Sequence, residues 1–257
     1  MEPEAQPAIH IPPESEYEGV LGRTDRAYLL ARSAAGDLAD ALAGNSEAFA
    51  NVLSSEAELD RLDSEVDAAV TAAVSELAAA QARELLACMK VLIDLERITD
   101  LLASVASCAR AMADTLAMDD VTDFIRLTSV LERMLLDVHG AFRARDVNAA
   151  MAVLRADAEM DRLRNLIIIR HLQQSQVRLC YDSVQVLFMA QALERAGDHA
   201  KNIAEEVCHL VNGHTIRHLI RNQRKSGEQM YLEWLRNLHS SVKEEAIAAR
   251  LNSLMAR

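Results

Sequence analysis

Beyond residue 13 the sequence contains no proline, because Pro3, Pro7, Pro12 and Pro13 account for all of it. The residue that most effectively breaks helices is therefore missing from the long remainder, and helix is permitted throughout. Glycine is scarce as well: eight occur in 257 residues, and Gly44, Gly140, Gly213 and Gly227 fall where turns are wanted. Basic charge is in short supply, with 27 Lys and Arg against 39 Asp and Glu and a net charge of −12. That balance argues against a general nucleic-acid binder, since affinity for phosphate backbones comes mainly from clustered cations. No apolar run reaches the roughly eighteen residues needed to cross a bilayer. The polar, proline-containing N-terminus lacks the basic-then-apolar layout of a signal peptide, so a cytoplasmic protein is expected. Cys88, Cys108, Cys180 and Cys208 are scattered without Cys-x-x-Cys spacing, which points to reduced thiols in helices and away from a structural zinc site.

What is present is apolar residue, 51% of the chain and enough for a sizeable core, set among Ala, Leu, Glu and Arg. The chain also repeats itself. In "SSEAELDRL" (54–62) the residues Ala57, Glu58, Asp60, Arg61 and Leu62 return in "RADAEMDRL" (155–163) as Ala158, Glu159, Asp161, Arg162 and Leu163, an offset of 101. The same register places Asn45 against Asp146, both candidate N-caps after a loop. Further on, Leu95, Glu96, Arg97 and Asp100 return as Leu193, Glu194, Arg195 and Asp198, an offset of 98. The slip of three residues is absorbed in the connection between the matched blocks.

Apolar periodicity and breakers give three helices per copy, at 17–43, 46–75 and 77–113 and then at 119–143, 147–173 and 175–212. Spacing such as Leu53, Leu59, Leu62 and Val66 marks faces that pack on neighbouring helices. The expected fold is all-α: tandem duplicated three-helix bundles, six core helices, and an extra C-terminal helix. Residues 1–16 read as a disordered lead-in, 17–117 as the first bundle and 118–213 as the second, with the junction in "MADTLAMDD" (112–120). Residues 214–257 hold a basic patch (Arg217, Arg221, Arg224, Lys225) and then an amphipathic helix through Tyr231, Trp234, Leu235, Leu238, Val242 and Ala246. That helix either folds back on the bundles or binds a partner helix.

On a helix advancing about 100° per residue, Glu194, Asp198, Lys201, Asn202 and Glu205 form one stripe, while Ala196, Ala200, Ile203, Val207 and Leu210 face the other way. The stripe is expected to point away from its own bundle's core. Acid pairs four apart recur at Glu56/Asp60, Glu96/Asp100, Asp157/Asp161 and Glu194/Asp198, one on the second and one on the third helix of each copy. Like charges at this spacing repel by a few tenths of a kcal/mol, so the pattern is mildly destabilising unless a cation sits there. Oxygen ligands on facing helices suit Mg, Mn or Fe. A solvated polar face, or pairing with Arg61, Arg97, Arg162 and Arg195, explains the same acids without metal. His199 lies about 140° round from Glu194 and reads as a boundary histidine, with His209 near the helix end. No catalytic signature stands out.

"LERAGDHAKNIAEEVCHLVNG" (193–213) closely resembles the signature of PhoU, a family of phosphate-signalling regulators built from two three-helix bundles, whose third and sixth helices carry an E-R-x-G-D-x-x-x-N-I pattern. The resemblance extends over about residues 17–220. It implies a non-enzymatic adaptor that restrains phosphate uptake, contacting the ATPase of a phosphate ABC transporter and the cytoplasmic part of a sensor histidine kinase, often as a dimer. It also implies metal on the acidic motif, often as iron or zinc clusters. The implied ligands are Glu96 and Asp100 in copy one and Glu194, Asp198 and Asn202 in copy two, with Glu56, Asp60, Asp157 and Asp161 matching the acids of the second and fifth helices. Copy one departs from the pattern, with Thr99 for Gly197, Leu101 for His199 and Ser104 for Asn202, so its metal site is expected to be the weaker. A di-metal carboxylate enzyme and a metal-free structural protein remain alternatives, although the interior Glu-x-x-His of di-iron bundles is missing from "ERITD" and "ERAGD". The basic tail offers an acidic partner or an anionic membrane surface a peripheral contact.

Overall fold

The structure, a computed structural model, describes residues 13–174 and 181–212. Six helices account for nearly all of them: α1 (Pro13–Leu42), α2 (Ala48–Ala73), α3 (Ala79–Ala111), α4 (Met118–Ala144), α5 (Val147–Gln174) and α6 (Tyr181–Asn212). No strand occurs among the described residues. The tail from 213 onward and Cys180 lie outside them, as do the expected basic patch and final helix. Cys88, Cys108 and Cys208 are free thiols.

Helix α1 starts at Pro13, four residues ahead of the expected 17. Proline is favoured in the first turn because its missing N–H has no partner there anyway, and Glu14 and Glu16 complement the positive helix end. The turns between the first two helices of each copy are built alike. Gly44 has φ +114°, and Arg145, one repeat of 101 residues later, is the one non-glycine residue with positive φ (53°) among the described residues. Arg145 is held in this left-handed conformation at the end of α4 by an ion pair with Glu84 and by stacking over Phe142, 4.5 Å from the ring centre. The two N-cap candidates differ. Asp146 accepts hydrogen bonds from the Asn148 and Ala149 amides at 2.8 and 3.2 Å, whereas Glu47, not Asn45, is the α2 N-cap and no side chain caps that helix.

Helices α1, α2 and α3 pack on one another, as do α4, α5 and α6, and the two bundles join side by side through α3 with α6 and α1 with α4. All six belong to one compact unit. Leu59, Leu62 and Val66 of α2 and Leu92, Leu95, Ile98 and Leu102 of α3 are buried as their spacing predicts, while Leu53 is half-buried. Alanines such as Ala31, Ala34, Ala35, Ala196 and Ala200 are fully buried and let helix axes come close. Gly197 carries this furthest: a Cβ there would meet Met160 Cγ of α5 at 3.1 Å, so the missing side chain sets the close approach of α5 and α6. At the α1–α4 seam the buried Tyr28 ring stacks on His139 with centres 4.6 Å apart, and His139 Nε2 lies 2.8 Å from Asp25.

Candidate metal centre

Four residues separate Glu56 from Asp60, and Glu96 from Asp100, so each pair falls on one face of its helix. Packing α2 against α3 brings those faces together. One carboxylate oxygen each from Glu56, Asp60 and Asp100 lies within 4.8 Å of the others. Asp60 is exposed and the other two are half-buried, so the cluster opens to solvent outside the apolar core. Glu96 and Asp63 stand beside it. Burial, then Asp60 and Asp100, push the Glu56 carboxyl above its ordinary range; Glu96 is raised by burial and then by Asp100, and Asp63 by burial and then by Asp67. Among the described residues Arg97 is the cation in contact, 3.2 Å from both Glu96 and Asp100, with 57% of its side chain exposed. A donor set of carboxylates alone fits a hard or borderline cation and offers nothing to a soft one.

In the second repeat the corresponding acids come together around protein cations. Lys201, on α6, pairs with Asp157 of α5 and lies 3.3 Å from Asp198. Arg164 lies 3.2 Å from Asp161 and 3.6 Å from Glu194. Gln191 joins the group, its amide nitrogen donating to Glu194 at 2.5 Å. The sequence pattern marks all four acids and puts Lys201 on the stripe, whereas Arg164 and Gln191 carry no periodic signal of their own. The signal for these residues was their absence from the first repeat: Asp63, Ile93 and Ala103 occupy the positions of Arg164, Gln191 and Lys201. This distribution of charge weighs against the expectation that the first copy is the weaker metal site.

The stripe on α6, expected to point away from its own bundle's core, is divided between two neighbouring helices. Lys201 and Glu205 are buried. Glu194, Asp198 and Lys201 face α5, whereas His199 and Asn202 turn to α3, where both meet Asp94 Oδ1, at 2.7 and 3.3 Å. Asn202 is therefore a tie between repeats. Glu206 makes a second tie with Lys90 at 2.9 Å, and His209 lies 3.5 Å from Glu206. Of the arginines weighed as partners for their sequence neighbours, Arg97 does reach Glu96, while Arg61 and Arg162 turn back to Glu58 and Glu159.

The Glu194 carboxyl is pushed from its ordinary 4.5 up to about 7 by burial, reinforced by Asp198 and Asp161 and opposed by Arg164. The folded chain thus holds a proton that the unfolded chain has released between those two values. Stability from this group is complete below about 4.5 and is lost as pH rises to about 7. Glu194→Gln is expected to flatten this dependence: urea midpoints at pH 5 and pH 8 should lie closer together in the variant than in the parent. An unchanged difference would refute the assignment.

A third polar group was not seen in the sequence. Arg170 bridges Asp120 and Asp123 at 2.5 and 2.6 Å, and His171 lies 3.0 Å from Asp120 and 3.1 Å from Ser183. These residues come from the start of α4, the end of α5 and the start of α6, far apart in sequence, with no periodic signal to link them. Asp120, His171 and Ser183 superficially form an acid–histidine–serine series, but all three are buried and Asp120 also pairs with Arg170, so the group ties helix ends together.

Two duplicated three-helix units with acid pairs on their second and third helices define a class of tandem-repeat helical proteins whose charged sites lie between helices at the surface. Within that class the chain belongs to the PhoU family, whose domain model matches residues 25–109 and again 124–207. A phosphate-specific transport system accessory protein PhoU homolog from Zymomonas mobilis is 29% identical over 174 residues, 66% of this chain and 73% of that protein. The homolog from Caulobacter vibrioides is 31% identical over 159 residues, 60% of this chain and 69% of its own. PhoU from Pseudomonas aeruginosa superposes with a TM-score of 0.72 at 24% identity, over 78% of this chain and 99% of that one. PhoU from Streptococcus pneumoniae gives 0.69 at 20% identity, over 79% and 98%. These two likenesses establish the fold. Among the described residues no helix is long and apolar enough to cross a membrane.

Proposed function

We propose that this chain is a non-enzymatic regulator of phosphate uptake, acting in the cytoplasm as a metal-binding adaptor between a phosphate ABC transporter and a sensor histidine kinase. The observation that carries the regulatory role is the match of the PhoU domain to both repeats, together with relatives named as accessory proteins of phosphate-specific transport. The adaptor role is supported by architecture: long helices offer extended docking faces, and the Glu56, Asp60 and Asp100 carboxylates are at least partly exposed to solvent. The partners are the transporter ATPase and the kinase's cytoplasmic region, and the chain works as a homodimer with at most peripheral membrane contact.

The metal reading rests on Glu56, Asp60 and Asp100, with Glu96 adjacent. Mn, Mg, Fe and Zn all accept oxygen ligands, and the carboxylate-only set favours the harder of them. The function is tested by deleting the gene and measuring phosphate uptake in phosphate-replete cells. Uptake is expected to rise, and crosslinked complexes are expected to contain the ATPase or the kinase. Unchanged uptake together with complexes lacking both would overturn the proposal.

A further inference from the structure

Both repeats gather carboxylates between their second and third helices, yet they differ in how that charge is balanced. In the second repeat two cations sit among the acids. Lys201 retains 5% of its side-chain exposure and Arg164 20%, whereas Arg97 in the first repeat retains 57%. A cation so enclosed is held by its partners and is weakly screened, while an exposed arginine contributes little and can swing away. Lys201 Nζ reaches acids on both helices, Asp157 of α5 and Asp198 of α6, as a bound ion would. Arg164 does the same for Asp161 and Glu194, and Gln191 closes the set by contacting both Arg164 and Glu194. At the matching places the first repeat has Asp63, Ala103 and Ile93: one more acid, no side-chain charge, and an exposed apolar residue.

We infer that the second repeat is a metal-independent version of the acidic site, in which the side chains of Lys201 and Arg164 stand where the first repeat needs a cation from solution. The ammonium between Asp157 and Asp198 occupies the space between the helices that a metal would enter, and its charge repels a second cation. Removing it should uncover a metal site; adding it to the first repeat should close one. The contrast with the first repeat rests on the metal reading above, but the statement about the second repeat does not.

The test is Mn2+ titration of the purified full-length protein, counting free Mn2+ by its EPR signal and following thermal unfolding in parallel. Asp198→Ala and Asp157→Asn in the parent chain are expected to leave Mn2+ stoichiometry and affinity unchanged. Lys201→Met is expected to gain one further Mn2+ that Asp198→Ala then removes. Ala103→Lys, at the matching position of the first repeat, is expected to weaken binding there by about ten- to a hundredfold. Loss of a bound Mn2+ in Asp198→Ala or Asp157→Asn alone would overturn the inference, and so would a folded Lys201→Met that binds no more than the parent. If the parent binds no Mn2+ while Lys201→Met binds one, the metal reading of the first repeat fails and this inference stands. Should Lys201→Met not fold, the two parent-background variants still decide the matter.

Discussion

Replacing Arg170 with methionine is expected to lower folding stability by about 3–5 kcal/mol, the usual cost of removing one partner from a buried ion pair. Two carboxylates converge on this guanidinium, Asp120 with 4% of its side chain exposed and Asp123 with 11%. Methionine keeps the length and much of the packing of the arginine stem but leaves both acids without their principal cation. The remaining neighbours replace little. His171 already shares Asp120 and is tied to Ser183, and Arg126 contacts Asp123 from an exposed position. The loss should act through the junction of α4, α5 and α6, since those are the helices the group connects. Urea unfolding of the variant measures it, and hydrogen exchange should show the largest loss of protection at those helix ends. A second variant, Arg170→Met with Asp123→Asn, removes one stranded charge and should recover part of the loss. If the single variant unfolds within 1 kcal/mol or so of the parent, the network is a surface decoration and the reading of its burial is wrong.

The second large effect changes sign with metal. In the absence of divalent ions, Asp60→Asn is expected to be neutral or to stabilise the chain by a few tenths of a kcal/mol, because it relieves repulsion with Glu56 and Asp100. With Mn2+ present the order reverses. A cation that binds only the folded state stabilises it by about 2.7 kcal/mol when its concentration is a hundred times the dissociation constant. The parent should gain about this much, and the variant, lacking one of three carboxylates, should gain far less. Thermal unfolding with and without Mn2+ reads both halves of the prediction. Equal gains in parent and variant would show that any bound metal lies elsewhere.

Much of the architecture could be read from residue order. A chain without proline beyond residue 13, with sparse glycine and 3.6-residue apolar periodicity, has few choices but helix, and duplication of the Asp60 and Asp161 segments set the number of copies. The acid pairs were legible for the same reason, since spacing within one helix fixes which side chains share a face. What could not be read was the facing element. Glu194 and Asp198 look alike on a helical wheel whether the neighbour brings Arg164, as α5 does, or Asp63, as α2 does at the equivalent place. The misplaced stripe has that origin too: a wheel for α6 shows Lys201 on the polar side, but α5 lies over that side and encloses it.

The sequence by itself determined that this chain is an all-helical duplication and that carboxylates line the second and third helices of each half, because both properties follow from spacing along one strand of covalent bonds. Only the tertiary structure decided which of those carboxylates meet each other and which meet an arginine or a lysine. The reason is electrostatic: the balance of charge in a groove depends on all the helices that wall it, and helices distant in sequence become neighbours only when their apolar faces have packed.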